Sequence, residues 1–432
     1  MQNKVKISVR ALVEYIYRSG SIETGFRSSV SLSEGTRLHQ NIQKQYGEKD
    51  QKEVPLLANI SCGGLEFILE GRCDGLLQRN NSFIIDEIKS VSRPLAEIGE
   101  ETFPVHWAQA KCYAYIFMMN HDLKQMIVQL TYVQSDTLEE KRFEQTFSYE
   151  HLERFMRELL KSYVPYAEMR VSHRIEMMKS INELSFPFPN YRLGQRKLAG
   201  AVYKTISEGK SLYANAPTGI GKTISTLFPA VKAIGEGEIQ RIFYLTAKTI
   251  TRQAAEEALA MMQKSGLELK AVTVTAKDKI CFKDETRCQK EYCEFANGYY
   301  DRVNGAILDL LKHENMINRT AIEKYAHKHR VCPFEFSLDA AYAADAIIAD
   351  YNYVFDPRIS LKRFIEEEKK KTVLLTDEAH NLVDRGREMY SAALNKSSFL
   401  QLSRIFKGKD EGIQKSAKRV NEMFVALKKK YG

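Results

Sequence analysis

The stretch Ala216–Thr223 reads APTGIGKT, and its reading decides the fold. Ser211 to Ala216 (SLYANA) has the pattern of a short strand and Thr223 to Ile234 that of a helix. Gly219, Gly221, Lys222 and Thr223 therefore fall at a predicted strand-to-helix turn. Backbone N–H groups at such a turn point at anionic oxygens, and glycines let the chain approach them closely. Lys222 can reach the β- and γ-phosphates of a nucleotide, and the Thr223 hydroxyl can take a Mg²⁺. Ala216, Pro217 and Thr218 complete the expected ATP cradle. The same string also suits a plain glycine turn before a lysine. The predicted strand and helix around it are the context the phosphate chemistry requires.

Working outward, Thr372 to Thr376 (TVLLT) is an apolar run of the kind buried in a parallel sheet, and Asp377, Glu378, Ala379 and His380 follow it. An acid at such a strand end completes the Mg²⁺ shell of a bound nucleotide, and Glu378 can orient or deprotonate the attacking water. Between loop and box lies Arg241 to Thr246 (RIFYLT), followed by a helix from about Ile250 to Gln263. Further strands are expected at Lys270 to Val274 and at Ala346 to Ala349. This is the series of a doubly wound α/β domain. Upstream, Gln195 in FPFPNYRLGQR can read an adenine edge or be a surface glutamine.

Four of the seven cysteines, Cys281, Cys288, Cys293 and Cys332, lie between loop and box, with six, four and 38 intervening residues. Those spacings match neither tight zinc pairs nor ferredoxin runs, so spacing alone does not choose the metal. The bridge from Asn304 to Lys328 reads as helical in two pieces, with Thr320 and Glu323 as a capping box for the second. Its basic residues suit a DNA strand or a solvated helix face.

From about Phe186 onward the chain resembles the XPD and DinG branch of superfamily 2 DNA helicases. The phosphate loop, YLTAKT, the four cysteines, ADYNYVFDP (Ala349 to Pro357) and DEAHN stand in that family's order. The resemblance implies a RecA-like motor domain and a [4Fe-4S] cluster on Cys281, Cys288, Cys293 and Cys332. It also implies 5′ to 3′ travel on single-stranded or forked DNA. Zinc remains the alternative metal for the four thiols.

The first 175 residues carry a second signal. Asp74 in GRCDG, then Glu87 and Lys89 in DEIK, fit a D…(D/E)xK arrangement. Two carboxylates at adjacent strand ends can hold Mg²⁺ or Mn²⁺, and a lysine two residues on shares their face and helps activate water. His39 in GTRLH, and Gln109 and Tyr113 in QAKCY, complete a set similar to RecB-like PD-(D/E)xK nucleases. That resemblance implies His39, Asp74, Glu87 and Lys89 as catalytic or metal-binding residues, with Gln109 and Tyr113 as supports. Cys62, Cys73 and Cys112 have no cluster spacing and read as core residues.

At 432 residues and 44% hydrophobic content, the chain should fold as more than one domain. The expected division is a nuclease-like α/β domain over 1–175, a RecA-like motor over 185–390 with its insertion at about 276–335, and helices over 391–432. Those last helices resemble the start of the helicase family's Arch domain, and the chain looks truncated before a second motor domain. A formal charge of +9 favours an anionic partner. No 18-residue apolar run or signal core appears, which suggests a cytoplasmic protein without a membrane partner. The expected activity is an ATP-dependent DNA helicase joined to a metal-dependent nuclease. Two alternatives remain: a nuclease whose motor serves only as a DNA-binding module, and a DNA-binding protein without turnover.

Overall fold

The structure is a computed structural model that describes residues 3–22, 32–79, 82–217, 219–247, 249–358 and 371–431. Thr218 of the phosphate loop lies outside the described residues.

The N-terminal region is a mixed six-stranded sheet with helices on both faces. Its elements are β1 (Lys4–Ser8), α1 (Val9–Tyr17), α2 (Leu32–Gln43), β2 (Gln51–Cys62), β3 (Leu65–Arg79), β4 (Ser82–Val91), α3 (Pro104–His121), β5 (Gln125–Gln134), β6 (Glu140–Ser148) and α4 (Tyr149–Glu183). The long strand β3 organises it. Strand β2 pairs antiparallel along one edge, from Leu65 to Leu76. The other edge is shared, with β1 alongside Glu66–Glu70 and β4 alongside Gly75–Arg79. Between those two ladders, Gly71 to Asp74 have no strand partner on that edge. Side chains of β4 alternate between faces, as the pleat requires. Ile88 packs with Leu38 and Ile42 of α2, whereas Ile85 belongs to the core that Tyr113 and Ile116 of α3 build.

Helix α4 ties this region to the next. Ser148 caps it, accepting from the His151 N–H at 3.3 Å. Leu152, Met156 and Leu160 lie in the first core, while Met177 and Ile181 lie in the second. The sequence suggests a helical stretch from Glu150 to Arg170 and a boundary between about Val171 and Pro189, within which His173 to Leu184 is itself helix-compatible. In the structure the helix continues through Glu183, because its buried face passes from one core directly into the other.

The second region holds α5 (Gln195–Ser207), α6 (Lys222–Gly235), β7 (Arg241–Leu245), α7 (Thr249–Lys264), β8 (Ala271–Thr273), α8 (Lys277–Ile280), α9 (Tyr299–His313), β9 (Met316–Ile317), α10 (Arg319–His329), α11 (Pro333–Ala343), β10 (Ala346–Ala349) and β11 (Thr372–Thr376). The strands form one parallel sheet in the order β11-β7-β10-β8-β9. The expected strand at Ser211–Ala216 is absent. Leu212 and Tyr213 are exposed there, Tyr213 at 94%, so the segment has no half-buried surface on which a strand could pair. The capping box also differs: Asn318 caps α10 by accepting from the Ala321 N–H, and Glu323 pairs instead with Arg319.

A separate compact unit comprises residues 350–366 and 378–432. Its described elements are α12 (Asn352–Phe355), α13 (Leu382–Met389), α14 (Lys396–Ile405) and α15 (Glu411–Tyr431). Phe399 and Phe424 join the last two, with ring centroids 6.0 Å apart. No described helix is long and apolar enough to cross a membrane.

Candidate functional site

The unpaired stretch of β3 ends at Asp74, one residue before the ladder with β4 begins at Gly75 and Asp86. Asp74 takes over as acceptor where the ladder stops: its Oδ2 receives the Ile88 N–H at 2.7 Å. Its Oδ1 lies 3.2 Å from His39 Nδ1 on α2. Glu87 and Lys89 share one face of β4, and Lys89 Nζ donates to Glu87 Oε1 at 2.7 Å and to Gln109 Oε1 at 3.1 Å. The Gln109 amide in turn donates to the Tyr113 hydroxyl at 3.2 Å. The six residues proposed from sequence thus fall into two neighbouring sets, His39 with Asp74 and Glu87 with Lys89, Gln109 and Tyr113.

The glycines of GRCDG have a steric reason. A Cβ on Gly71 would sit 2.5 Å from the Tyr113 ring, and one on Gly75 would sit 2.3 Å from the Tyr46 hydroxyl. Tyr46 donates to Asp86 Oδ2 at 2.7 Å, and Thr131 donates to Asp86 Oδ1 at 2.6 Å. Gln43 donates to the Asp74 carbonyl and to Glu53, both at 2.9 Å. These supports behind the acids were missed from sequence. Only the adjacency of Asp86 to Glu87 signalled them.

The electrostatics are those of a buried anionic site. Burial raises Glu87, and Lys89 only partly offsets it. Burial lowers the basicity of His39, but Asp74 beside it more than compensates and holds it above its ordinary value. Glu87 Oε2 is buried without a hydrogen-bond partner. An orphaned carboxylate oxygen is costly unless something polar or cationic meets it, so Glu87 is a candidate ligand for a cation. No group of three or more His, Cys, Asp or Glu is arranged to hold a metal ion among the described residues.

In the second region, Gly219 (φ +83°) and Gly221 (φ +82°) adopt the left-handed conformation that the loop needs, and Gly221 stands at the N-terminus of α6. Lys222 Nζ lies 3.5 Å from the Ala216 carbonyl, within the loop. Gln195 is 2% exposed, accepts from the Arg192 N–H at 2.9 Å, and has its amide nitrogen against Gly221. Gln195 therefore braces the loop from beneath. The Asp377 N–H continues the ladder of β11 by donating to the Leu245 carbonyl at 2.9 Å, which sets Asp377 at the strand end. Glu378 belongs to the other compact unit, where its carbonyl accepts from Tyr351 and Asn381.

The four cysteines are free thiols at element ends. Cys281 closes α8, Cys288 and Cys293 lie in the following turns, and Cys332 is the N-cap of α11. All but Cys281 are buried. Burial pushes the Cys332 thiol up to about 12, against backbone N–H groups of Phe334 and Glu335 that favour its thiolate. Burial lowers the basicity of the Lys277 ammonium, but the Cys288 and Cys332 thiols close to it hold it above its ordinary value. The four thiols are not grouped to hold a metal ion among the described residues. Cys73 and Cys112 are core residues, as expected, and Cys62 is half-buried.

Residues 196–321 match the DEAD/DEAH box helicase family and residues 259–399 match DEAD_2. The chain is 24% identical over 207 residues to the ATP-dependent DNA helicase XPD of Sulfolobus acidocaldarius, covering 47% of this chain and 35% of that protein. It is 22% identical over 251 residues to the human regulator of telomere elongation helicase 1, covering 46% of this chain and 20% of that one. A solved XPD helicase structure aligns over 55% of this chain and 40% of its own, at 19% identity and a TM-score of 0.39. The chain thus spans about a third or less of the length of these two curated relatives. Over residues 196–321 and 259–399 it is thus similar to DEAD/DEAH-box helicase domains.

Proposed function

We propose that the chain couples an ATP-dependent DNA helicase motor to a metal-dependent DNA nuclease and works in the cytoplasm on single-stranded or forked DNA. The observation that carries the nuclease half is the orphaned Glu87 Oε2 beside Asp74, His39 and Lys89. Mg²⁺ or Mn²⁺ would be held by His39, Asp74 and Glu87, and when bound supplies positive charge at the scissile phosphate and a more acidic water. The chain's own residues do the rest. Gln109 and Glu87 hold the Lys89 ammonium in place, and Tyr113 holds Gln109. Lys89 can then stabilise the developing negative charge.

In the motor, the N–H groups at the start of α6, with Lys222 and Thr223, would bind the phosphates of ATP·Mg²⁺. Asp377 would complete the Mg²⁺ shell and Glu378 would position the water. Cys281, Cys288, Cys293 and Cys332 would hold a [4Fe-4S] cluster that cross-links the insertion. Movement is expected 5′ to 3′.

A second reading, a nuclease whose motor only binds DNA, is favoured by the exposed, unpaired lead-in Ser211–Ala216. Substitutions at the two sites separate these readings. Lys222→Ala should abolish DNA-stimulated ATP hydrolysis and leave metal-dependent cleavage intact, whereas Asp74→Ala should do the reverse. Absence of ATP hydrolysis in the unsubstituted protein, with cleavage retained, would favour the second reading.

A further inference from the structure

After α1, residues 18–22 leave their own sheet and lie along the cysteine-bearing insertion. Asn304 of α9 donates to the Tyr15 carbonyl at 2.6 Å. Two backbone bonds continue the contact, Tyr300 N–H to the Gly20 carbonyl and Ile22 N–H to the Ala296 carbonyl, each at 3.0 Å. Side chains seal it from both partners: the Gly20 N–H reaches Asp301 Oδ1 at 2.9 Å, and the Gly298 N–H reaches Ser21 Oγ at 2.9 Å. Arg18 lies 3.8 Å over the Tyr300 ring and pairs with Asp339 at 3.5 Å. Asp339 also accepts from the Tyr299 hydroxyl at 2.7 Å.

Two features distinguish this strap from an incidental contact. Ala296 bonds back to the Cys293 carbonyl at 3.0 Å, and Asp339 belongs to α11, the helix that Cys332 caps. The strap therefore grips both segments that carry the later cysteines. Two of its bonds are backbone to backbone and two more use the Gly20 and Gly298 N–H groups, so the grip does not depend on long side chains alone. Helix α4 holds the nuclease-like domain to the motor sheet; the strap holds it to the insertion.

We propose that the Arg18–Ile22 strap fixes the nuclease-like centre in one position relative to the cysteine-bearing insertion, so that DNA engaged by the insertion is cut at a single offset. The inference rests on the nuclease reading above. Arg18, Asp301 and Asn304 are positioning residues and touch neither metal nor DNA chemistry.

The test uses the full chain and its Arg18→Ala/Asn304→Ala variant. Cleavage of end-labelled forked DNA with Mn²⁺ is mapped at nucleotide resolution, and amide hydrogen exchange is measured on the same proteins. The unsubstituted chain should give one narrow cluster of cuts. The variant should cut to a similar total extent but over a spread of positions. Its amides at 15–22 and 296–301 should exchange at least about tenfold faster while those of β4 stay protected, which shows that the sheet is still folded. An unchanged cut pattern in a variant whose strap has become exposed overturns the proposal, as does a broad pattern in the unsubstituted chain. If the unsubstituted chain cuts nothing, the nuclease reading fails and the fixed mount is judged by exchange alone: protected strap amides support it and unprotected ones refute it. Asp301→Asn, which keeps the side-chain shape, guards against misfolding of the double variant.

Discussion

At Glu87 two demands conflict. Burial opposes a charged carboxylate, yet Lys89 beside it needs an anion to keep its ammonium in place. One oxygen is satisfied by Lys89 and the other is left bare, which is a costly arrangement in a folded core and a useful one in a metal site. Glu87→Gln should therefore remove metal-dependent cleavage while leaving the thermal midpoint nearly unchanged or raised, as measured by a DNA cleavage assay and by calorimetry. Gln109→Ala should act through Lys89 and cost about ten- to a hundredfold in activity, the range typical of outer-shell supports. The glycines beside Asp74 are equally specific. Gly71→Ala forces its new methyl into the Tyr113 ring, and a loss of about 1–3 kcal/mol in denaturant stability is expected from such overpacking.

Helix α4 also carries a buried ion pair. Within it, His173 Nε2 lies 2.7 Å from Asp345 Oδ2, and the Lys270 N–H donates to the same oxygen at 3.0 Å. Burial raises the Asp345 carboxyl, but His173 and Arg170 outweigh it and hold it below its ordinary value. A depressed carboxyl contributes stability that is complete above its unfolded value and lost as pH falls through its folded one. The contribution should thus be full above about pH 4 and fade below it. Asp345→Asn should lose about 1–3 kcal/mol at neutral pH, because buried donors lose their charged acceptor, and should flatten the acid limb of an unfolding titration.

The same helix shows where sequence reading stops. The strands at 241, 346 and 372 and the helices flanking them were legible because short apolar runs and periodic faces report burial directly. Ser211–Ala216 resembled them in composition but has no sheet surface to occupy. His39, Asp74, Glu87, Lys89, Gln109 and Tyr113 stood out as motifs, whereas Tyr46, Gln43 and Thr131 did not, since each acts through a fold-dependent contact 31 to 45 residues distant. The strap was invisible for the same reason: its partners lie about 280 positions away in the sequence.

For the whole molecule, the two cores share one helix and one strap within a single compact unit covering residues 1–349 and 367–377. Heat or denaturant should unfold both regions of that unit in one transition, followed by coincident probes of the first and second cores. Two well-separated transitions would show that α4 does not couple them. Cys332→Ser in anaerobically purified protein should lower bound iron and acid-labile sulfide from about four each per chain, the stoichiometry of one such cluster.

The most direct measurement compares the unsubstituted chain with Glu87→Gln for Mn²⁺ binding, by electron paramagnetic resonance, and for cleavage of single-stranded DNA in the same samples. The account predicts that the unsubstituted chain binds Mn²⁺ and cuts, and that the variant has lost cleavage with Mn²⁺ affinity at least about tenfold weaker. Equal Mn²⁺ binding and equal cleavage in the two proteins would contradict it.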